Sequence, residues 1–327
     1  MPGPILVTGA AGFAGSHVLE LLTRDAGGTP IDIVAWHRPQ GASPRQATGA
    51  PGVRWEAVDL LDRGAVAAAA ARVRPSAVYH CAGEAHVGRA WDSTEATFAI
   101  NVRGTHHLLN GLERAGVDAR VLIPSSAMVY APAGEPLTEQ HALRPSSPYG
   151  VSKLAQEMLG MRAHGPVSVL IARAFNHMGP RQDPHFAASG FARRIADIEH
   201  GRWKPEISVG NLDAQRDLTD VRDTVRAYRL ILERGQPGRP YNVCSGRAVT
   251  IRLLLERLVE RARVPLTIQV DPARLRPNDI PLLVGDPARL RDELGWRLDI
   301  PLEQTLDDLL EYWRRNVKSE KSSVSTL

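Results

Sequence analysis

Several residue types are scarce in this chain of 327 residues, and each scarcity excludes a class of protein. There are two cysteines, Cys81 and Cys244, so no disulfide framework and no CxxC pair is present. No metal site is predicted, and a reducing cytoplasm is the expected compartment. No run of 18 apolar residues occurs either, so we expect no membrane-spanning helix and no membrane partner.

Lysine is scarce too, since four of the 40 basic residues are lysine and the others are arginine. The formal net charge of +4 is small, and no basic stripe interleaved with aromatic residues occurs. Nucleic-acid binding is therefore not expected. We interpret most of the arginines as a solvated face and a few as phosphate ligands, because guanidinium binds phosphate in a bidentate manner.

Short apolar runs alternate with amphipathic helical stretches in the first half of the chain. The runs lie at residues 5–8, 31–36, 77–81, 121–124 and 167–172. Alternation at this spacing predicts an α/β fold of the Rossmann type, with a doubly wound parallel sheet covered on both faces. Such sheets bind ligands at the carboxyl ends of their strands.

After Arg173 the alternation becomes irregular, which predicts a smaller lobe interleaved with the first domain. The expected nucleotide-binding domain covers residues 1–174, with residues 212–248 returning to it. The expected substrate lobe covers residues 175–211 and 249–316. Residues 317–327 are rich in serine and lysine and are predicted to be a disordered tail.

The segment GAAGFAG follows the first predicted strand and opens a helix. Gly9 permits the tight turn, Gly12 permits close approach to a pyrophosphate, and Gly15 permits close packing of the helix on the strand. The helix N-terminus then faces the phosphates. We therefore predict that this segment, with Phe13 and Ala14, binds a dinucleotide.

No acidic residue ends the second predicted strand, where one would bind the ribose hydroxyls of NAD. Arg38 lies there instead and is placed to meet a 2′-phosphate. NADPH is therefore the predicted cofactor, with NAD possible. The alternative interpretation of Arg38 is a solvated loop residue.

Tyr149 and Lys153 form a YxxxK motif, whose two side chains share one face of a predicted helix. A phenol with an ordinary pKa near 10 is a poor acid–base catalyst at neutral pH. The charge of Lys153 is expected to lower the pKa of Tyr149. The motif alone is frequent by chance, and the glycine-rich segment upstream makes the catalytic interpretation the stronger one.

The GxxGxxG spacing and the YxxxK motif resemble the short-chain dehydrogenase/reductase superfamily, and the segment SSAMVY resembles its extended branch. The resemblance implies a catalytic hydroxyl at Ser126, which would hydrogen-bond the substrate carbonyl. It also implies cofactor contacts at Asp59, Leu60, Cys81, Ala82, Gly83 and Asn101, besides Tyr149 and Lys153.

Acidic residues are missing directly after Ser126, where Ala127 and Met128 stand. The 4,6-dehydratases of this family carry an Asp–Glu pair there, or a Glu two residues on. They need these groups because dehydration removes the C5 proton and expels the C6 hydroxyl. Neither Ala127 nor Met128 can transfer a proton, so hydride transfer at one carbon, with Tyr149 as the acid, is predicted instead.

The segments FNHMGP and GNLDAQRD in the second half are similar to those of GDP-mannose 4,6-dehydratases and of the related GDP-4-keto-6-deoxy-D-mannose reductases. This resemblance implies NADPH-dependent reduction of a GDP-sugar, with GDP-D-rhamnose as the product. The implied substrate contacts are Glu84 or His86 to the hexose, Asn176, Arg216 and Arg276 to the diphosphate, and Asp279 to the ribose.

Three alternatives stay open at this point. A nucleotide-sugar 4-epimerase uses the same serine, tyrosine and lysine but keeps NAD tightly bound, and Arg38 argues against it. A dehydratase is disfavoured by Met128, and a non-catalytic scaffold by the presence of both Tyr149 and Lys153. The family pairs the helices predicted at residues 101–115 and 148–164 across a subunit interface, so a homodimer is expected.

Overall fold

The structure is a computed structural model that describes residues 3–25, 31–40, 52–163, 165–274 and 280–324. Its strands in chain order are β1 (Ile5–Thr8), β2 (Ile33–His37), β3 (Val53–Ala57), β4 (Ala77–His80), β5 (Ala119–Ser126), β6 (Val167–Ala174), β7 (Asn176–Met178), β8 (Glu206–Val209), β9 (Gln215–Asp220), β10 (Pro240–Val243), β11 (Ala248–Thr250), β12 (Thr267–Val270) and β13 (Leu282–Leu283).

The helices of the described residues are α1 (Phe13–Asp25), α2 (Arg63–Val73), α3 (Val87–Asp92), α4 (Thr94–Phe98), α5 (Gly104–Arg114), α6 (Pro148–Met161), α7 (Ala187–Glu199), α8 (Val221–Arg234), α9 (Ile251–Val259), α10 (Ala288–Leu294) and α11 (Leu302–Val324). A π-helical turn at Ala99–Arg103 joins α4 to α5. None of the described helices combines the length and apolarity needed to cross a bilayer.

A seven-stranded parallel sheet in the order β10-β6-β5-β4-β1-β2-β3 forms the centre of the fold. All four residues of β1 are buried, because helices cover both faces of the sheet and leave no face for polar residues. β1 pairs with both β2 and β4, so the strand order reverses at β1. The predicted doubly wound sheet is confirmed, and this reversal point is where such sheets bind ligands.

Two hydrophobic cores lie on opposite faces of this sheet. One unites α1 and α8 with the sheet, and the other unites α2 and α5 with it. Leu290 and Leu294 of α10, together with Trp296, belong to the first of these cores. α10 and Trp296, which lie in the predicted substrate segment 249–316, thus pack against the seven-stranded sheet and its helices.

A third core is formed by α7, α9, α11 and β8, which pack together through leucine, isoleucine and Trp313 side chains. Val317 is buried in this core, and α11 continues to Val324. The predicted disordered tail, residues 317–327, thus begins within the range of α11. The buried helix face extends past Trp313, and the lysine and glutamate that follow are good helix formers. Residues 325–327 lie outside the described part of the chain.

A buried ion pair joins α6 to the sheet. The guanidinium of Arg173 on β6 donates to Glu157 on α6 at 2.8 Å, and the two side chains are 4% and 0% exposed. The hydroxyl of Ser125 on β5 also donates to Glu157, at 2.5 Å. Arg173 donates further to the hydroxyl of Tyr130 at 3.0 Å. These contacts fix the position of α6 relative to the ends of β5 and β6.

We expect Glu157→Ala to lower the free energy of unfolding by about 3–5 kcal/mol, because it leaves the buried charge of Arg173 without its partner. The measurement is urea unfolding followed by circular dichroism. The matched control is Glu303→Ala, since Glu303 is 52% exposed and pairs with Arg261 at the surface. The control change is expected to stay below about 1 kcal/mol. Equal effects of the two variants would contradict the structural role of the buried pair.

Candidate active site

The turn between β1 and α1 has the shape that its glycines predict. Gly9 has a φ of +64°, and a Cβ there would lie 2.6 Å from the backbone of Ala82. A Cβ on Gly15 would lie 2.3 Å from the carbonyl oxygen of Gly9. The first turn of a helix leaves backbone N–H groups without an intrahelical partner, and here those of Phe13 and Ala14 lie at this turn. The close-packed cradle therefore fits a dinucleotide pyrophosphate.

Arg38 directly follows β2, and Asp59 lies just beyond β3 at the same edge of the sheet. Arg38 is exposed, and it has no acidic partner within the described part of the chain. Asp59 is also exposed, and its carboxylate accepts the backbone N–H of Leu61 at 2.9 Å, while Leu60 is buried. An unpaired cation at this edge suits a 2′-phosphate.

Residues Cys81, Ala82 and Gly83 directly follow β4 and pass beside the π-helical turn. A Cβ on Gly83 would lie 2.7 Å from the side-chain oxygen of Asn101. Asn101 is fully buried; its side-chain oxygen accepts the N–H of Glu84 at 2.8 Å. Its amide donates to Ser152 on α6 at 3.0 Å. Asn101, implied above as a cofactor contact, thus orders this loop and joins it to α6 through its own amide.

The start of α6 brings Tyr149 to Ser126. The Ser147 hydroxyl caps the helix by accepting the N–H of Gly150 at 3.1 Å. A Cβ on Gly150 would lie 2.3 Å from the carbonyl oxygen of Met128, so only glycine lets α6 approach the segment after β5 so closely. The side chain of Ser126 lies close enough to the hydroxyl of Tyr149 to favour its ionised form, although burial opposes this effect on the pKa. Ser126 also accepts the N–H of Met128 at 3.2 Å.

The protonation of Tyr149 differs from the expectation. Burial, together with the nearby Glu84 carboxylate, raises the pKa of Tyr149 to about 12. Lys153 was expected to lower it, but the Lys153 ammonium donates instead to the side-chain oxygen of Gln156 at 2.6 Å. Burial also lowers the pKa of Lys153 to about 8, against the opposing charge of Glu157. Burial is the largest cause of both pKa shifts, and the spacing of residues in the sequence does not reveal which side chains are buried.

Glu84 and His86, the two residues predicted to reach the hexose, lie on the loop between Gly83 and α3. The Glu84 carboxylate accepts the backbone N–H groups of Ala85 at 3.0 Å and His86 at 2.9 Å. His86 caps α3 by accepting the N–H of Arg89 at 3.0 Å. The structure thus places Glu84 near Tyr149 and gives the ring of His86 a structural contact at the start of α3.

The predicted diphosphate contacts are only partly described. Asn176 is exposed on β7 and pairs with Leu218 on β9, two residues beyond Arg216. The guanidinium of Arg216 donates to the backbone carbonyls of Gln215 at 2.9 Å and Ile280 at 2.7 Å. Asn176 and Arg216 therefore lie on neighbouring strands, and Arg216 also closes a loop.

The other two predicted nucleotide contacts, Arg276 and Asp279, lie outside the described residues. The described part of the chain holds no group of three or more His, Cys, Asp or Glu side chains arranged to bind a metal.

Comparisons with known proteins identify similar sequences and structures. A family model described as GDP-mannose 4,6 dehydratase matches residues 6–309. GDP-6-deoxy-D-mannose reductase of Pseudomonas aeruginosa is 36% identical over 322 residues, which cover 97% of this chain and 99% of the relative. UDP-glucose 4-epimerase of Bacillus subtilis is 30% identical over 342 residues, covering 98% and 99%. The solved structure of RMD from Pseudomonas aeruginosa complexed with NADPH has a TM-score of 0.81 at 32% identity, and the match covers 96% of this chain and 100% of that chain.

We expect Gly15→Ala to weaken NADPH binding about tenfold or more, a loss of about 1.4 kcal/mol. The added methyl group meets backbone rather than a movable side chain, so the turn and α1 must separate. NADPH fluorescence titration measures the effect. Gly134→Ala is the matched control, because a Cβ on Gly134 meets nothing within 4 Å. An unchanged Kd in the Gly15 variant would show that this cradle does not hold the cofactor.

Proposed function

Since the chain belongs to the family of the GDP-mannose 4,6 dehydratase model, within the extended short-chain dehydrogenases/reductases, we propose that it is an NADPH-dependent reductase. The proposed substrate is GDP-4-keto-6-deoxy-D-mannose, and the proposed product is GDP-D-rhamnose. The observation that carries the proposal is the proximity of Tyr149 and Ser126, with Ala127 and Met128 in place of dehydratase acids. The similarity to the Pseudomonas reductase over nearly the whole chain supports it.

The cofactor residues fit NADPH. The cradle from Gly9 to Gly15 would hold the pyrophosphate, Arg38 the 2′-phosphate and Lys153 the nicotinamide ribose. Asp59 would lie beside the adenine. When bound, the reduced nicotinamide supplies hydride to the carbonyl carbon of the sugar.

Tyr149 provides the proton for the reaction. The phenol is protonated at neutral pH, so it can donate to the alkoxide oxygen that forms at C4. The hydroxyl of Ser126, fixed by the N–H of Met128, hydrogen-bonds the same oxygen and stabilises its developing charge. One hydride and one proton convert the ketone to a secondary alcohol.

Dehydration needs a second proton-transfer group beside the sugar. Ala127 is buried and Met128 is partly buried against the apolar cluster of Val129 and Phe175, and neither side chain titrates. The carboxylate that raises the pKa of Tyr149 is that of Glu84, and it accepts hydrogen bonds from two backbone N–H groups. The site therefore favours reduction over dehydration, the reaction for which the family model is named.

A 4-epimerase is the second candidate, because the Bacillus UDP-glucose 4-epimerase is similar along almost the whole chain. An epimerase retains NAD through its reaction cycle. Arg38, which has no acidic partner among the described residues, favours the phosphorylated, exchangeable cofactor instead.

We also propose contacts for the sugar nucleotide and for a partner subunit. Glu84 or His86 would contact the hexose. Asn176 and Arg216, with Arg276, would bind the diphosphate of the GDP-sugar, and Asp279 the ribose.

The proposed homodimer would form in the cytoplasm through α5 and α6, the helices predicted at residues 101–115 and 148–164, and the exposed residues of α3 and α6 mark a neighbouring surface. Large apolar side chains are exposed on α3 and α6, with exposed fractions of 59% for Trp91, 42% for Val151, 56% for Met158 and 46% for Met161. Exposed large apolar side chains on neighbouring helices are consistent with a protein interface.

The reductase proposal predicts NADPH oxidation when GDP-mannose is first converted to its 4-keto-6-deoxy form by a separate dehydratase. Tyr149→Phe should reduce the rate by roughly 10² to 10⁴ with little change in binding, because the proton donor is lost. Product analysis by mass spectrometry and NMR identifies the hexose. With GDP-mannose and NADP alone, the protein should form no more than a trace of the 4-keto product. Robust formation of that product would refute the reductase assignment.

Arg38→Asp is expected to weaken NADPH binding by about tenfold to a hundredfold, because a charge-assisted contact worth about 1.5–3 kcal/mol is lost. NADH binding should improve, since an acidic residue at this position accepts the ribose hydroxyls. Fluorescence titration with both cofactors measures the preference. Arg114→Asp, an exposed change at the end of α5, should alter neither affinity. A wild-type protein that binds NADH more tightly than NADPH would contradict the cofactor assignment.

A further inference from the structure

The ammonium of Lys153 is bound by a side chain that the YxxxK motif does not include. Lys153 is 7% exposed and donates to the side-chain oxygen of Gln156 at 2.6 Å, and Gln156 is fully buried. The titratable groups that face Lys153 are Glu157 from its own helix and His80 and Cys81 from the end of β4. Gln156 therefore supplies a neutral acceptor at short distance, in addition to the charge of Glu157.

The amide of Gln156 is held in one orientation. Lysine only donates hydrogen bonds, so the oxygen of Gln156 must face Lys153 and its nitrogen must face away. That nitrogen donates to the hydroxyl of Thr105 on α5 at 2.7 Å. A rotated amide would place an N–H against the ammonium and is excluded by this contact.

The hydroxyl of Thr105 uses its donor position and both of its acceptor positions in the same hydrogen-bond network. It donates to the carbonyl of Asn101 at 2.6 Å and accepts the N–H of Gln156. One acceptor position remains, and the Nε2 of His80 lies 2.9 Å away. His80 is neutral, because burial and the charge of Lys153 lower its pKa to about 3. Its single ring proton is therefore on Nε2 and is donated to Thr105.

The other ring nitrogen of His80 extends the network to the cofactor cradle. Nδ1 accepts the hydroxyl of Thr8 at 2.8 Å, and Thr8 accepts the N–H of Ala82 at 3.3 Å. Thr8 is the last residue of β1 and precedes Gly9. A continuous set of hydrogen bonds thus runs from Lys153 on α6 to the turn that would hold the pyrophosphate.

We propose that Gln156 is a positioning residue of the candidate active site. It holds the Lys153 ammonium in its charged form. Through Thr105 and His80, it also fixes the position of this ammonium relative to the cofactor cradle. The proposal rests on the proposed function only in that Lys153 contacts the bound cofactor. Gln156 acts through Lys153, and no contact between Gln156 and the sugar is proposed.

The physical consequence is a shift in the protonation of Lys153. Burial already lowers the pKa of Lys153 to about 8. Loss of the Gln156 acceptor removes a contact that favours the charged form, so the pKa of Lys153 falls further. The ammonium then loses its proton at a lower pH, and the cofactor loses a charged hydrogen-bond donor there.

The test is NADPH affinity as a function of pH, which needs no sugar and so is independent of the substrate assignment. In the wild type the Kd should be constant between about pH 7 and pH 8, where the 2′-phosphate is fully ionised, and rise above it as the free protein loses the Lys153 proton. Gln156→Met retains the volume of the side chain but removes the acceptor. In this variant the rise should begin about one pH unit lower, equivalent to about 1.4 kcal/mol.

Two threonine variants separate this role from a general packing effect. Thr105→Val leaves Gln156 in place but removes the hydroxyl that orients it, so a smaller shift in the same direction is expected. Thr97→Val is the matched control, since Thr97 is a buried threonine on α4 whose hydroxyl donates to the backbone of Ser93. It should leave the pH profile unchanged.

The proposal fails if the Gln156 variant has the wild-type dependence of Kd on pH. It also fails if the Kd of the variant increases by the same factor at every pH and its Tm is lower. A wild-type Kd that stays flat from pH 7 to 9 also overturns it. If the Gln156 variant does not fold, the Thr105 variant decides, and an unchanged profile there refutes the proposal. Absence of turnover on the keto-sugar with the predicted binding profile would refute the proposed substrate and leave this inference standing.

Discussion

The buried ion pair of Arg173 and Glu157 is the contact on which the candidate site depends most directly. Removing charges from water costs several kcal/mol for each ion, so the pair is favourable only when further polar groups complete it. Ser125 does so, and this requires β5, β6 and α6 to be in their native places together. Those elements carry Ser126 and Tyr149. The relative position of the proton-transfer groups is therefore enforced by charges that cannot be left without partners.

A second set of contacts joins the cofactor cradle to the substrate lobe. The ring of Phe13, at the start of α1, stacks on His177 with ring centres 5.8 Å apart and planes 3° from parallel. His17, one turn further along α1, hydrogen-bonds the carbonyl of Pro180 at 2.9 Å, and burial lowers its pKa to about 4. The cradle and the segment after β6 thus support each other. Hydride transfer depends on the alignment of cofactor and sugar, and this shared support limits their relative movement.

The features that the sequence predicted are those set by local backbone geometry. The positive φ of Gly9 and the one-turn spacing of Tyr149 and Lys153 are properties of a few adjacent residues, and the sheet follows from apolar runs of strand length. The contact of Gln156 with Thr105 spans 51 residues of sequence, and no local pattern encodes it. The direction of the pKa shift at Tyr149 was missed for the same reason, since it depends on burial by distant segments.

The protonation of the site favours one direction of the chemistry. A reductase needs a proton donor at the sugar oxygen, whereas an epimerase or dehydratase begins by removing a proton from the C4 hydroxyl. Burial holds the phenol of Tyr149 in its protonated form at neutral pH, which suits a proton donor. An oxidised nicotinamide adds a positive charge that would favour the phenolate, but the reduced form is neutral and adds none. A buried phenol beside an NADPH ring therefore remains protonated, which is the state that reduction requires of its proton donor.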